Sequence, residues 1–268
     1  MRAPRSVLLG RVFRPAAIFV ATMALTASVA LGQGLTVQDF KSNRPTPRMS
    51  NGKPDFSGTY QWPTYLPGQE RGRSNATIFD KKNFAPLKPG GEPFFEPRTG
   101  DPRHDEPRDF CMPAGFPASI LSGNAMQLFQ TKNYLVMVHE FQRNTRIIPL
   151  DGRKHREGLE PMYDGDPVGK WEGDTLVIDT TNFSPKSEFM GSHDTLHLTE
   201  RLTRVGPEIL NYEFTVNDPT MWTAPWTAMI PLKHKNEAIY EYACHEGNVA
   251  IPNMLRGHRY EERSQSQK

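Results

Sequence analysis

The chain has 268 residues with 32 Lys+Arg against 30 Asp+Glu, and the slight basic excess sits at its start, where Arg2, Arg5, Arg11 and Arg14 have no acidic neighbour before residue 33. Subtracting those four leaves 28 basic against 30 acidic residues, with no Lys/Arg runs, so the remainder lacks the electrostatic footprint of a nucleic-acid or anionic-lipid binder. No Gly-x-Ser-x-Gly elbow, Gly-x-Gly-x-x-Gly, P-loop or Cys-x-x-Cys-His occurs, which removes support for serine hydrolase, nucleotide and c-type haem chemistry. No cofactor is expected.

Residues 1–32 read as a signal peptide. The four arginines precede Ala16–Leu31, an uncharged run of small and apolar residues, and Ala30-Leu31-Gly32 supplies the small residues of a cleavage site. The run is shorter than the ~20 residues a bilayer span needs. The expected product is periplasmic or secreted, with no membrane insertion after cleavage.

Residues 33–120 read as a proline-rich arm. Thirteen of the 24 prolines fall between Lys41 and Ile120, leaving room for one early strand, Asp55–Trp62. Phe79, Phe84, Phe94, Phe95, Phe110 and Phe116 argue against plain disorder, so Pro63–Pro117 is expected to wrap the domain and cover one end. Cys111 and Cys244, in an exported chain, are expected to form a disulfide.

Residues 121–268 show period-2 alternation broken by turn residues. Hairpins are expected through 125–131, 134–141 and 146–150, then 175–181, 196–205 and 209–217, then 226–232 and 238–244, with no helix. About eight antiparallel strands in sequence order favour an all-β, up-and-down barrel, because closure removes exposed edges. A barrel of this size is filled by side chains or holds one small ligand.

Alternation also assigns faces. In Leu196–Thr203, Glu200 shares a side with Leu196, Leu198 and Leu202, and a carboxylate there must be paired or have its pKa raised. A raised pKa suits a general acid or base; a structural Glu would pair with Arg146 or Arg153. His193, on a loop beside Asp194, is a candidate acid, and Arg146 or Arg201 could stabilise developing negative charge. His193 and His197 sit roughly 13 Å apart on a strand, too far for a shared metal ion, so no metal is expected. Arg153 and His155, beyond the Asp151-Gly152 turn, could bind a carboxylate or oxyanion. His197, Trp226 and Tyr240 complete the candidate binding set, the aromatics as lining for an apolar cavity.

Four strings, Arg146–Arg153 (RIIPLDGR), Gly169–Thr180 (GKWEGDTLVIDT), Leu196–Arg201 (LHLTER) and Tyr242–Asn248 (YACHEGN), resemble a pattern shared by uncharacterised secreted bacterial proteins. The meander is also similar to lipocalin-like barrels, a likeness of fold and not of site. The reading that results is an exported enzyme acting on a small, partly apolar molecule by general acid/base chemistry, of lyase, hydratase or isomerase type. The alternatives are a non-catalytic, lipocalin-like binding protein of the periplasm and a structural envelope protein.

Overall fold

The computed structural model describes residues 42–61, 86–89 and 111–266. The leader at 1–32 and most of the proline-rich arm lie outside the described residues. The rest is nearly all β: strands β1 (Gly58–Gln61), β2 (Met126–Gln130), β3 (Tyr134–His139), β4 (Thr145–Pro149), β5 (Asp166–Glu172), β6 (Thr175–Thr181), β7 (His197–Arg204), β8 (Ile209–Asn217) and β9 (Trp226–Lys235) form one antiparallel sheet in the order β4-β3-β2-β1-β9-β8-β7-β6-β5. The sheet curls into a nearly closed barrel, the expected fold class.

Strand number has a topological consequence. Eight successive antiparallel pairings carry the chain from β4 round to β5, so direction alternates eight times and the two end strands run the same way. Antiparallel neighbours can be joined by a tight turn, whereas a parallel pair needs a crossover of a dozen residues or more. The segment 150–165 between β4 and β5 is that crossover, and it climbs the outside of the barrel. An odd-numbered meander must place one such seam somewhere; here it falls between β4 and β5.

The seam is tight at one end. An added Cβ on Gly169 would stand 2.9 Å from Leu150 Cδ2 and 3.2 Å from both Ile148 Cγ2 and the Pro149 carbonyl oxygen, so glycine lets β5 approach β4. The Gly152 amide donates to the Gly169 carbonyl at 3.0 Å.

Interior positions alternate along each strand. Leu176, Ile178 and Thr180 of β6 face Leu198, Glu200 and Leu202 of β7, then Leu210, Tyr212, Phe214 and Val216 of β8, all buried. Tyr60, Leu128, Leu135, Met137 and Ile148 complete the ring. The barrel is filled by its own side chains. Residues 42–57 close one end, tied by Arg48 to Asp174, Lys53 Nζ to the Gly173 carbonyl at 3.0 Å and Thr46 Oγ1 to the Arg204 carbonyl at 3.1 Å. The other end is plugged by 182–196, where Phe189 stacks on Trp226, with ring centroids 6.1 Å apart, and Trp222 Nε1 donates to Ser192 Oγ at 3.1 Å. Part of the arm reaches that end: Leu87 bridges to Trp222, and Phe116 is buried.

Three expectations differ from the structure. β5 was not expected, because Asp166-Pro167-Val168-Gly169 shows no alternation and carries both a proline and a glycine; as an end strand it tolerates a proline. Segment 238–244 alternates yet is not a strand, since β9 already has β1 on one side and β8 on the other. It runs outside instead, with the Tyr240 amide donating to Glu140 Oε2 at 3.0 Å, Tyr242 against Phe141, and Cys244 joined to Cys111. Two helices occur where none was expected, the single turn α1 (Ala118–Leu121) and the exposed α2 (Ala250–Ser266).

Candidate functional site

Glu200 lies in a closed polar knot inside the barrel. Arg146 Nη1 donates to its Oε1 at 2.8 Å, Arg146 Nη2 lies 2.6 Å from its Oε2, and Tyr212 Oη donates to Oε1 at 2.8 Å. Arg146 Nη2 also donates to Thr180 Oγ1 at 2.5 Å, and the guanidinium sits 4.6 Å over the Phe116 ring. Glu200 is 0% and Arg146 2% exposed. Burial disfavours the Arg146 cation, but Glu200 overrides that and raises its pKa. Burial and then the Glu200 charge push the Tyr212 phenol well above the usual tyrosine range. Of the two donors anticipated for Glu200, the structure uses Arg146; Arg153 instead makes an exposed fork with Asp151.

The other candidates are dispersed. His193 is half-buried, its Nδ1 2.9 Å from the Ser187 carbonyl in the plug. Arg201 faces outward between Glu172 and Glu213. Trp226 belongs to the aromatic core with Phe214, Trp222 and Phe189, and Tyr240 is 72% exposed. His155 and His197, from different elements, converge on Asp179. His155 Nε2 is 2.8 Å from Asp179 Oδ2, and His197 Nε2 is 2.5 Å from Oδ1. His155 Nδ1 is 3.3 Å from Asp166 Oδ2. Among the described residues no group of three or more His, Cys, Asp or Glu is placed to hold a metal ion.

The open end of the seam forms a cleft of about 620 Å³. One wall is β4, with Thr145, Arg146 and Ile147; the other runs from Met162 through Asp164 to Val168; the crossover adds Arg153, Lys154 and Arg156. Tyr134, Pro113, Pro149 and Pro167 give it apolar surface. It holds two acids, Asp166, which is paired with Arg156, and Asp164, whose Oδ1 accepts from Asn144 Nδ2 at 2.7 Å. Burial raises the Asp164 pKa, and the opposing pull of Asn144 and the Arg146 charge does not cancel it. A carboxyl whose pKa is raised beside a fixed guanidinium can give or take a proton while the cation steadies negative charge. Arg146 thus joins the buried knot to the cleft, and its Nε has no hydrogen-bond partner among the described residues.

Sequence reasoning passed over Asp164, Asp166, Lys154, Arg156 and Asp179. The sequence signal for two of them is the turn string Asp164-Gly165-Asp166; in the structure Gly165 has φ +66°, and an added Cβ there would meet Thr180 Cγ2 and the Thr181 carbonyl at 2.6 Å. The turn Asp164-Gly165-Asp166 is therefore pressed onto β6, which fixes both carboxylates. Asp179 was visible only as an outward polar position of β6.

The chain matches no protein-family model, and no curated protein matches it.

Proposed function

We propose that the protein is exported and acts on a small, partly apolar molecule bearing a carboxylate or carbonyl oxygen, bound in the seam cleft, by general acid/base chemistry of lyase, hydratase or isomerase type. The observation that carries this reading is the pairing of Asp164, its pKa raised by burial, with the Arg146 charge at the cleft wall. Asp164 moves the proton. Arg146, held by Glu200 and Thr180, stabilises the charge that develops, and Lys154, Arg153 and Arg156 draw the ligand's anionic group to the mouth. Such reactions move protons on and off carbon or oxygen, or on and off an attacking or leaving water, and need no nucleophilic side chain. Neither nucleic acid nor a membrane is a partner in this reading, and no cofactor takes part.

The disulfide between Cys111 and Cys244 supports export, since such bonds persist in oxidising compartments. The filled interior moves the ligand from the lumen, where a lipocalin-like binder keeps it, to the wall. Pure binding is the second reading, favoured by the pre-paired states of Arg153 with Asp151 and Arg156 with Asp166. A panel of aromatic and aliphatic hydroxy, keto and unsaturated acids separates the two. Catalysis predicts conversion by the wild type and at least a hundredfold loss in Asp164→Asn, in line with the usual ~10²–10⁴-fold contribution of a proton-transfer group. Binding without conversion, unchanged in Asp164→Asn, would favour the second reading.

A further inference from the structure

His155 stands between two carboxylates from two different strands: Nε2 on Asp179 of β6 at 2.8 Å and Nδ1 on Asp166 of β5 at 3.3 Å. An ionised carboxylate only accepts hydrogen bonds, and a neutral imidazole has a single N–H. Both contacts are satisfied together only by the imidazolium. The ring belongs to the crossover 150–165, whose two ends are tied elsewhere: the Gly152 amide donates to the Gly169 carbonyl at 3.0 Å, Asn182 Nδ2 to the Leu159 carbonyl at 3.1 Å and the Ser184 amide to the Met162 carbonyl at 2.8 Å. Arg156 donates its amide to Asp166 Oδ2 at 2.9 Å and forks onto Oδ1 at 3.0 and 2.7 Å. The neighbours Arg153, Lys154 and Arg156 line the cleft, while the His155 ring faces the barrel wall.

We propose that His155 is a positioning residue, a proton-operated latch that holds the crossover against β5 and β6 and so keeps the cationic wall of the cleft in place. With the proton on, the ring bridges Asp166 and Asp179. With it off, one contact loses its donor, and a carboxylate faces a lone pair. The segment from Gly152 to Arg156 then loses its link to β6, and its remaining ties to β5, the Gly152 amide on the Gly169 carbonyl and Arg156 on Asp166, open more often as it swings away from the cleft mouth. The groups facing the latch are Asp166 from β5, Asp179 from β6, His197 from β7, which shares Asp179, and Arg156 on the crossover itself. Burial lowers the His155 pKa, but Asp179 and then Asp166 outweigh it, and the net shift is upward. The sign follows: the latch is closed below that raised pKa and opens as pH climbs through it.

The device goes beyond the proposed reaction, and its test reads the segment itself. In the full chain, amide hydrogen exchange of Gly152 and Arg156 is followed from pH 5.5 to 9. It is compared at each pH with amides of the β7/β8 hairpin, which cancels the intrinsic base catalysis of exchange. The expected result is relative protection that is flat at low pH and falls by up to about tenfold per pH unit once His155 deprotonates. His155→Gln should be poorly protected at every pH, with the hairpin still protected. Asp179→Asn keeps an accepting oxygen while removing charge, and should shift the midpoint to lower pH; His197→Gln should retain the pH dependence. A wild-type ratio that stays flat across the range overturns the latch, as does an unchanged pH dependence in His155→Gln or an unmoved midpoint in Asp179→Asn. None of these outcomes depends on a ligand, so the latch can fail while the cleft reading stands.

Discussion

Arg146 reaches both carboxylate oxygens of Glu200, at 2.8 and 2.6 Å, from the opposite side of the barrel seam, and neither side chain meets solvent. The two strands are far apart in sheet order, since β4 and β7 sit on different sides of the β4/β5 seam. The ion pair therefore spans the closure and sets the register across it. Removing one partner of a buried pair leaves an uncompensated charge. Glu200→Gln should lose ~3–5 kcal/mol of unfolding free energy in urea. The double change Arg146→Met with Glu200→Leu should recover most of it, because a well-packed apolar pair is often neutral. A loss in Glu200→Gln below ~1 kcal/mol would show that the pair does not brace the barrel.

Gly169 makes a separate prediction about closure. In Gly169→Ala the new methyl meets Leu150, Ile148 and the Pro149 carbonyl, and the backbone oxygen cannot rotate away. Overpacking of this kind typically costs ~1–3 kcal/mol. Thermal melting should fall, with lost protection concentrated at the Gly152 amide. Unaltered melting would mean that β4 and β5 can part without cost.

His139 supplies a pH dependence opposite in sign to the latch. It is buried, neither ring nitrogen has a hydrogen-bond partner of ordinary geometry among the described residues, and burial pulls its pKa from 6.5 to about 4. The folded state then binds fewer protons than the unfolded state between those values, so stability falls as pH drops from 6.5 toward 4 and levels off below. The loss is on the order of 3 kcal/mol at most. Urea midpoints of the wild type and of His139→Gln, compared at pH 7 and pH 4.5, test this. The variant should lose the larger part of the acid sensitivity, and equal slopes would reassign it to carboxylates.

The disulfide joins residues 133 apart in sequence. Linking Cys111, just before the buried Phe116, to the outer segment at Cys244 restricts a very long loop of the unfolded chain, an effect of roughly 2–5 kcal/mol. Labelling the unfolded, unreduced protein should find no free thiol, and reduction should lower the melting temperature. Two labelled thiols would contradict the bond.

How far residues alone could lead differs from one element to the next. Period-2 alternation exposed β6 to β8 because their inward residues are mostly large and apolar, and it singled out Glu200 as a charged exception on the inward face of β7. Alternation could not show β5, whose proline and glycine answer to the seam and not to a strand propensity. It also misled at 238–244, where the pattern is present but both edges of β9 are taken. The cleft escaped notice for the same reason: Asp164 and Lys154 acquire neighbours only when an odd strand count forces a crossover. A turn dipeptide such as Asp164-Gly165 marks where a chain bends, not what it is pressed against.

On the reading proposed here a ligand occupies the seam cleft and not the barrel lumen. Methyl NMR of the Ile- and Met-labelled protein, titrated with the tightest-binding acid from the panel, tests it most directly. The expected result is saturable shifts at Ile147 and Met162 of the cleft walls, with Ile178, Ile230 and Met137 of the filled interior unmoved, and weaker binding in Lys154→Glu. Shifts at the interior methyls with Ile147 and Met162 silent would contradict the claim and return the ligand to the lumen.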